Sequence, residues 1–196
     1  MNDINLIERS KQGDRDAFDE LYQKYKRPIL NHIYRFIGNR SQAEDLTHEV
    51  FIRAYVNISK FKPFGKFSSW LYRIAGNLAK NHLRHASYDK RASTITMQTY
   101  EGAVELSPVD ILKDKNASPH EAALSKEHKQ LVQDAINNLA PSLKEAVILC
   151  DIEGFSYEEA AKVMRCRPMT VGSRLWRGRK NLSKLLKYIK NGDAKR

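Results

Sequence analysis

Six residues between Ser69 and Ala86 carry side chains suited to gripping an unstacked nucleic-acid strand: Trp70, Arg73, Asn77, Lys80, Asn81 and Arg84. Wound as a helix, they share one arc, while Leu71, Ile74, Ala75 and Leu78 form a separate apolar arc. An aromatic ring can stack on a base, amides can meet base edges, and cations can meet phosphates. The loop before this helix, Lys60 to Phe67 (KFKPFGKF), adds Phe61, Phe64 and Phe67 between lysine stems. Phe61, Phe67 and Trp70 are equally suited to closing a small core, and Phe67 is assigned there. Asn77 and Asn81 are the sharper functional residues, because two amides on an exposed face have no packing role.

A second constellation lies near the C-terminus. Ser156-Tyr157-Glu158-Glu159 opens a short helix on a capping box, Arg165 to Arg167 form a three-residue turn, and a long helix runs from about Pro168 to Ile189. That layout is a helix-turn-helix. On the long helix Val171, Leu175, Gly178, Leu182, Leu185 and Ile189 fall on one stripe, and Gly178 permits close approach of a neighbour. Ser173, Arg177, Lys180, Lys184 and Lys187 fall opposite, with Arg174 and Arg179 on the flanks. Such a helix docks by one face and offers phosphate contacts and guanine-reading arginines on the other. Trp176 suits a groove contact and packing about equally. Cys166, in the turn, reads as an apolar plug.

These pieces sit in an all-helical punctuation. Apolar residues recur at helical spacing from Asp16 to Ile37, with Pro28 expected to kink the stretch or start a second helix, and Gly38-Asn39 to stop it. Ser41 to Glu44 is expected to cap the next helix, whose core face is Ala43, Leu46, Val50, Phe51, Ala54 and Ile58. Its outer face, with Glu44, Asp45, His48, Glu49, Ile52 and Tyr55, would repel DNA and suits a protein partner. The helix bearing Trp70 should start near Ser68 or Ser69 and end near Ala86. From about Tyr88 to Pro119 the helical period fails and polar residues dominate, as in a linker. Helices then follow at Glu121 to Leu139 and from Pro141-Ser142, the latter on a further capping box to Glu145, with Gly154 as its stop. The expectation is two small helical domains, 1–87 and 121–196, joined by an extended acidic linker over 88–120.

Charge follows the same division. Of a net +11, residues 1–59 contribute nothing, 60–91 contribute +7, 92–161 contribute −7 and 162–196 contribute +11. Two cationic blocks around an acidic stretch suggest two contacts on one long polyanion. No run of about eighteen apolar residues exists, so no membrane insertion is expected. Met1-Asn2-Asp3-Ile4 lacks a signal architecture, which points to the cytoplasm. Two cysteines, Cys150 and Cys166, are too few for a disulfide framework or a CxxC metal site. There is no HExxH, no GxxxxGK[ST] and no paired-carboxylate or Ser/His arrangement. No catalytic residue, metal or cofactor is therefore expected, and a nucleic-acid enzyme is disfavoured. A stand-alone helix-turn-helix regulator would explain residues 120–196 but not the Trp70–Arg84 face or the acidic helix.

The chain resembles the extracytoplasmic-function group of sigma factors along nearly its whole length. The resemblance is carried by DRDAFDELYQKY (Asp14–Tyr25), AEDLTHEVFIRAY (Ala43–Tyr55), KFSSWLYRIAGNLAKNHLR (Lys66–Arg84) and GFSYEEAAKVMRCRPMTVGSRLWRGRKNL (Gly154–Leu182). It implies a region 2 helical bundle that binds the polymerase clamp and melts the minus-ten element. It also implies a region 4 helix-turn-helix that reads the minus-thirty-five element. By resemblance Glu44, Asp45, His48, Glu49 and Ile52 meet the β′ clamp, and Asn77 and Asn81 hold a flipped base, with Phe61 and Lys66 in the adjoining loop. Arg167, Thr170, Ser173, Arg174, Arg177 and Arg179 are placed at the minus-thirty-five DNA, with Trp176 and Lys180 on the same helix. The implied partners are core RNA polymerase, through its β′ clamp and β flap, promoter DNA, and an anti-sigma factor. Three positions depart from the family's usual residues: His48 stands for Gln, Met169 for Gly, and Gly172 for Lys or Arg. Met169 bears on how the last helix starts. Gly172 costs roughly 1 kcal/mol of helix propensity against Ala and removes a cation.

Overall fold

The computed structural model describes residues 3–62, 66–92 and 130–193. Every element among them is helical. The N-terminal unit comprises α1 (Asp3–Lys11), α2 (Arg15–Ile37), α3 (Arg40–Asn57) and α4 (Phe67–Ala92), with a 3-10 turn at Ile58–Lys60 after α3. The C-terminal unit comprises α5 (residues 130–137), α6 (Pro141–Val147), α7 (Tyr157–Met164) and α8 (Pro168–Asp193). All but the first five residues of the expected linker, and residues 121–129 of the helix after it, lie outside the described residues.

Helix α2 begins where the Asp14 carboxylate accepts from the Ala17 amide at 3.2 Å. It ends at Gly38, whose φ of 78° turns the chain while its N–H donates to Tyr34 O. Pro28 neither breaks it nor starts a second helix: all 23 residues are continuous. Leu21, Ile29, Leu30 and Ile33 bury into the core on both sides of the proline, and that packing outweighs the lost backbone bond.

The cap of α3 is Asn39 rather than Ser41. Its side chain accepts from the Gln42 amide at 3.0 Å, so the helix starts earlier than expected, and Glu44 pairs with Arg40 one turn back. Helix α6 likewise lacks the expected box. It starts on Pro141, whose fixed φ suits the first helical position, and Glu145 is drawn away from the cap. Its continuation is a wide turn over Ile148–Ile152, closed by Glu153 N–H on Ile148 O, and Gly154 at φ 73° ends it. The Ser156–Glu159 box at α7 is present in both directions. Helix α4 starts at Phe67 and runs to Ala92, six residues past the expected end.

In the N-terminal unit, Leu21, Ile33, Val50, Phe51, Ala54, Leu71 and Ala75 are buried together, and Thr47 joins them by donating its hydroxyl to Ala43 O. In the C-terminal unit, Ala146, Leu149, Ala160, Val163, Val171 and Leu175 close around the helix-turn-helix. Gly178 is required there: a Cβ would come within 2.6 Å of Val147 Cγ2.

The two units also share a core. Phe36 and Ala79 from the first pack with Ile136 and Ile148 from the second. Around this apolar patch lie four polar contacts. Lys80 Nζ is 3.0 and 3.1 Å from the two Glu145 carboxylate oxygens, and Tyr72 donates to Glu153 at 3.1 Å. Lys144 Nζ, drawn into the seam, donates to Phe36 O at 2.9 Å. Gln133 donates to Arg35 O at 3.0 Å. The chain is therefore folded closed, with α7 lying against α4.

Candidate nucleic-acid and polymerase interfaces

On α4 the expected division of faces holds in part: Leu71, Ala75 and Leu78 are buried and Ile74 half-buried, whereas Asn77, Asn81 and Arg84 are exposed and Trp70, Arg73 and Lys80 half-buried. Arg84 donates to Asn81 Oδ1 at 3.1 Å, which orients that amide. Asn77 faces solvent. Trp70 is half-buried, its ring 5.3 Å from Phe61 and 5.6 Å from Phe67. Phe61 is only 7% exposed, so it backs the indole instead of presenting a free ring, as Phe67 does. This aromatic trio is why Trp70 sits rigidly at the rim of a recess of about 380 Å³. Cations ring the recess: Lys60, Lys62, Lys66 and Arg73 from the first unit and Lys162 from α7.

The closed arrangement reaches into this surface. Lys80 is held by Glu145, Lys66 lies 2.5 Å from Glu159, and Arg73 is half-buried. Burial lowers the Arg73 pKa, and the neighbouring Arg165 guanidinium lowers it further. Part of the expected strand-binding face is thus occupied by the second unit while Asn77 and Asn81 stay open. Sequence reasoning missed Lys60, Lys62 and Lys162. The first two stand in a loop rich in lysine, which was a usable signal, but only the closed fold brings Lys162 to them.

On α8 the docking stripe is buried at Val171, Leu175 and Gly178 and half-buried at Leu182 and Leu185. Ser173, Trp176, Arg177, Lys180, Lys184 and Lys187 are exposed, Arg174 and Thr170 half-buried, and Arg167 exposed on the turn. Trp176, at 64% exposure, is not a packing residue here, and Lys180 Nζ stands 5.0 Å from its ring centroid. Arg179 is engaged by Asp151 at 2.5 Å within its own unit, a pairing that raises its pKa. Arg165 takes the left-handed conformation, φ 50°, to make the tight turn between α7 and α8. Cys166 is half-buried against the core. The two family departures on α8 are accommodated. Pro168 starts the helix normally with Met169 directed to solvent, and Gly172 lies under the Tyr157 ring, where a Cβ would meet it at 3.5 Å.

On α3, Glu44, Asp45, His48 and Ile52 are exposed and Glu49 half-buried. Glu44 and Glu49 are partly neutralised by Arg40 and Arg53 on the same helix, while Asp45 is left as an outward carboxylate. Ile52 and Val56 are 63% and 69% exposed, so the apolar strip beside the acids extends past Ile52 and Tyr55 to Val56.

Residues 21–88 match the family model for sigma-70 region 2, and residues 129–182 match that for sigma-70 region 4. The RNA polymerase sigma-H factor of Pseudomonas aeruginosa is 38% identical over 190 residues, covering 95% of both chains. This chain belongs to the extracytoplasmic-function sigma factors. The sigma-E factor of this group from Haemophilus influenzae is 36% identical and covers 91% of this chain and 92% of its own. A solved structure of CnrH in complex with the cytosolic domain of CnrY has the same fold, with a TM-score of 0.66 at 21% identity over 95% of this sigma factor and 97% of that chain. The N-terminal unit is accordingly region 2 and the C-terminal unit region 4. The relatives are DNA-binding transcription factors rather than enzymes, and no helix among the described residues is long and apolar enough to cross a membrane.

Proposed function

We propose that this sigma factor joins core RNA polymerase and directs it to a particular set of promoters. Region 2 would read and melt the minus-ten element, and region 4 would read the minus-thirty-five element. The observation that carries this reading is that α4 and α8 each present a separate face of exposed polar and cationic residues, in a chain that also presents an acidic and apolar α3. A free repressor has no use for the third surface. Asn77 and Asn81 are the residues assigned to an extruded base, with Trp70 as the stacking wall and Lys66, Arg73, Lys80 and Arg84 along the phosphates. Phe61 supports Trp70. On α8 the assignment is Thr170, Ser173, Arg174, Trp176 and Arg177 to the major groove, with Arg167, Arg179 and Lys180 to the backbone. Glu44, Asp45, His48, Glu49 and Ile52 are assigned to the β′ clamp, and region 4 to the β flap. An anti-sigma factor is a further expected partner, the chain would act in the cytoplasm, and it would carry no catalytic activity or cofactor of its own.

The test is reconstitution of transcription with core polymerase and a promoter library. Sequence-selective initiation is expected only when both components are present. Nanomolar, sequence-specific duplex binding by the purified chain alone would overturn the reading in favour of a free-standing regulator. Asn77→Ala should lower open-complex formation by about tenfold, the worth of a bidentate base contact, while co-purification with polymerase is unchanged. Equal loss of both would move Asn77 out of the base pocket. Asp45→Lys should weaken polymerase binding about fivefold by reversing a charge at the clamp contact. An undiminished complex in a pull-down would remove α3 from that interface.

A further inference from the structure

Met169 is the most exposed large apolar side chain in the described structure, at 86%, and it occupies the first turn of α8 directly after Pro168. An unbranched thioether left in water does nothing for folding, and no core residue lies against it. Its direction is set by the helix. At 100° per residue, Met169, Ser173, Trp176 and Lys180 fall within about 60° of arc, diametrically opposite Val171 and Gly178, which are buried. Met169 is therefore the leading residue of the face that region 4 turns outward. Cations stand around it: Arg165 and Arg167 in the preceding turn, both exposed, and Arg174 and Arg177 further along. Whatever approaches this end of α8 is a polyanion. In a helix-turn-helix the N-terminal residues of the second helix are the ones that reach base edges.

We infer that Met169 is a specificity-determining residue that reads the 5-methyl group of a thymine in the minus-thirty-five element. The inference rests on the assignment of α8 to that element. Met has no hydrogen-bond donor and only a weak acceptor, so it cannot read the polar pattern of a base pair. The one apolar feature that a major groove displays is the thymine methyl. A polarisable, three-torsion side chain can cover that methyl without demanding one backbone pose. Neighbouring Ser173 does not compete for a methyl, because its hydroxyl donates to Thr170 O within the helix at 3.0 Å and offers the groove only a polar acceptor. The methionine thus supplies the discrimination and the surrounding arginines supply the affinity.

The test uses polymerase holoenzyme formed with the full chain and a promoter selected from a library. Each thymine of the minus-thirty-five element is replaced in turn by deoxyuridine, which keeps base pairing and removes only the methyl. One position should lose about fourfold in open-complex yield, the worth of burying a methyl-sized group. Met169→Ser should fold with unchanged thermal stability and abolish that sensitivity, while Arg174→Ala should weaken binding and retain it. Deoxyuridine tolerated at every position, or methyl sensitivity persisting in Met169→Ser, overturns the inference while leaving region 4 on the DNA. Indifference to a fully scrambled minus-thirty-five element would instead remove α8 from the promoter, and Met169 with it.

Discussion

Lys80→Met is expected to part region 4 from region 2. The Glu145 side chain is 4% exposed and its only ionic partner among the described residues is Lys80, which contacts both carboxylate oxygens. Removing one member of a buried pair leaves an uncompensated charge, at a cost of about 3 kcal/mol. Methionine keeps the aliphatic stem, so the loss is electrostatic and not a cavity. The region 2 core is unaffected, because Lys80 lies on the face of α4 away from Leu71, Ala75 and Leu78. The closed-to-open ratio should fall by about a hundredfold, which small-angle scattering would register as a larger radius of gyration. An unchanged radius would mean that the shared patch of Phe36, Ala79, Ile136 and Ile148 holds the units together unaided. This seam bears on function because it covers the Arg73 and Lys80 flank of the strand-binding face. A sigma factor contacting both promoter elements must release it.

His32→Phe is expected to remove an acid-sensitive limb from the chain's stability. His32 is fully buried in α2, with its ring edge-on to Tyr72 at 4.9 Å. Neither ring nitrogen finds a hydrogen-bond partner among the described residues. Burial, with Lys80 and Arg35 nearby, pulls its pKa down to about 3 from an unfolded value near 6.5. A depressed histidine contributes stability that is fully present above pH 6.5 and is lost as pH falls toward 3, since only the unfolded chain then takes up the proton. At pH 5 the loss is about 2 kcal/mol. Glu153 acts in the opposite sense. Burial raises its pKa, so its contribution is present below its unfolded pKa and lost as pH rises through the folded one. The carboxylates with lowered pKa, Asp3, Asp14 and Glu159, lose their contributions only at lower pH. Urea unfolding of wild type and His32→Phe at pH 7 and pH 5 therefore isolates the histidine as a difference of differences. An identical pH dependence in the two proteins would show that His32 is not held neutral in the folded state.

The closed seam explains why a lone region 4 is a poor description of this chain. Glu145, Lys144 and Gln133 each spend their polar groups on region 2. If polymerase takes α3 as proposed, it would have to compete with these contacts before the α4 face is complete. Acidic and apolar residues on α3 remain outward in the closed form, so the proposed clamp contact would need no rearrangement.

The amino-acid order by itself determined what depends on neighbours a few residues apart. The α7 capping box, the three-residue turn into α8, the buried stripe of Val171, Leu175 and Gly178, and the outward amides of α4 are all set by i, i+3 and i+4 relations. Those relations can be counted along a chain. What only the tertiary structure decided are the competitions between local and distant partners. Glu145 left its own helix for Lys80, Phe61 went under Trp70, and Pro28 stayed inside a continuous helix because the core gripped both its sides. A buried polar or aromatic group takes whichever partner the packed interior brings nearest, and no spacing in a sequence states that distance.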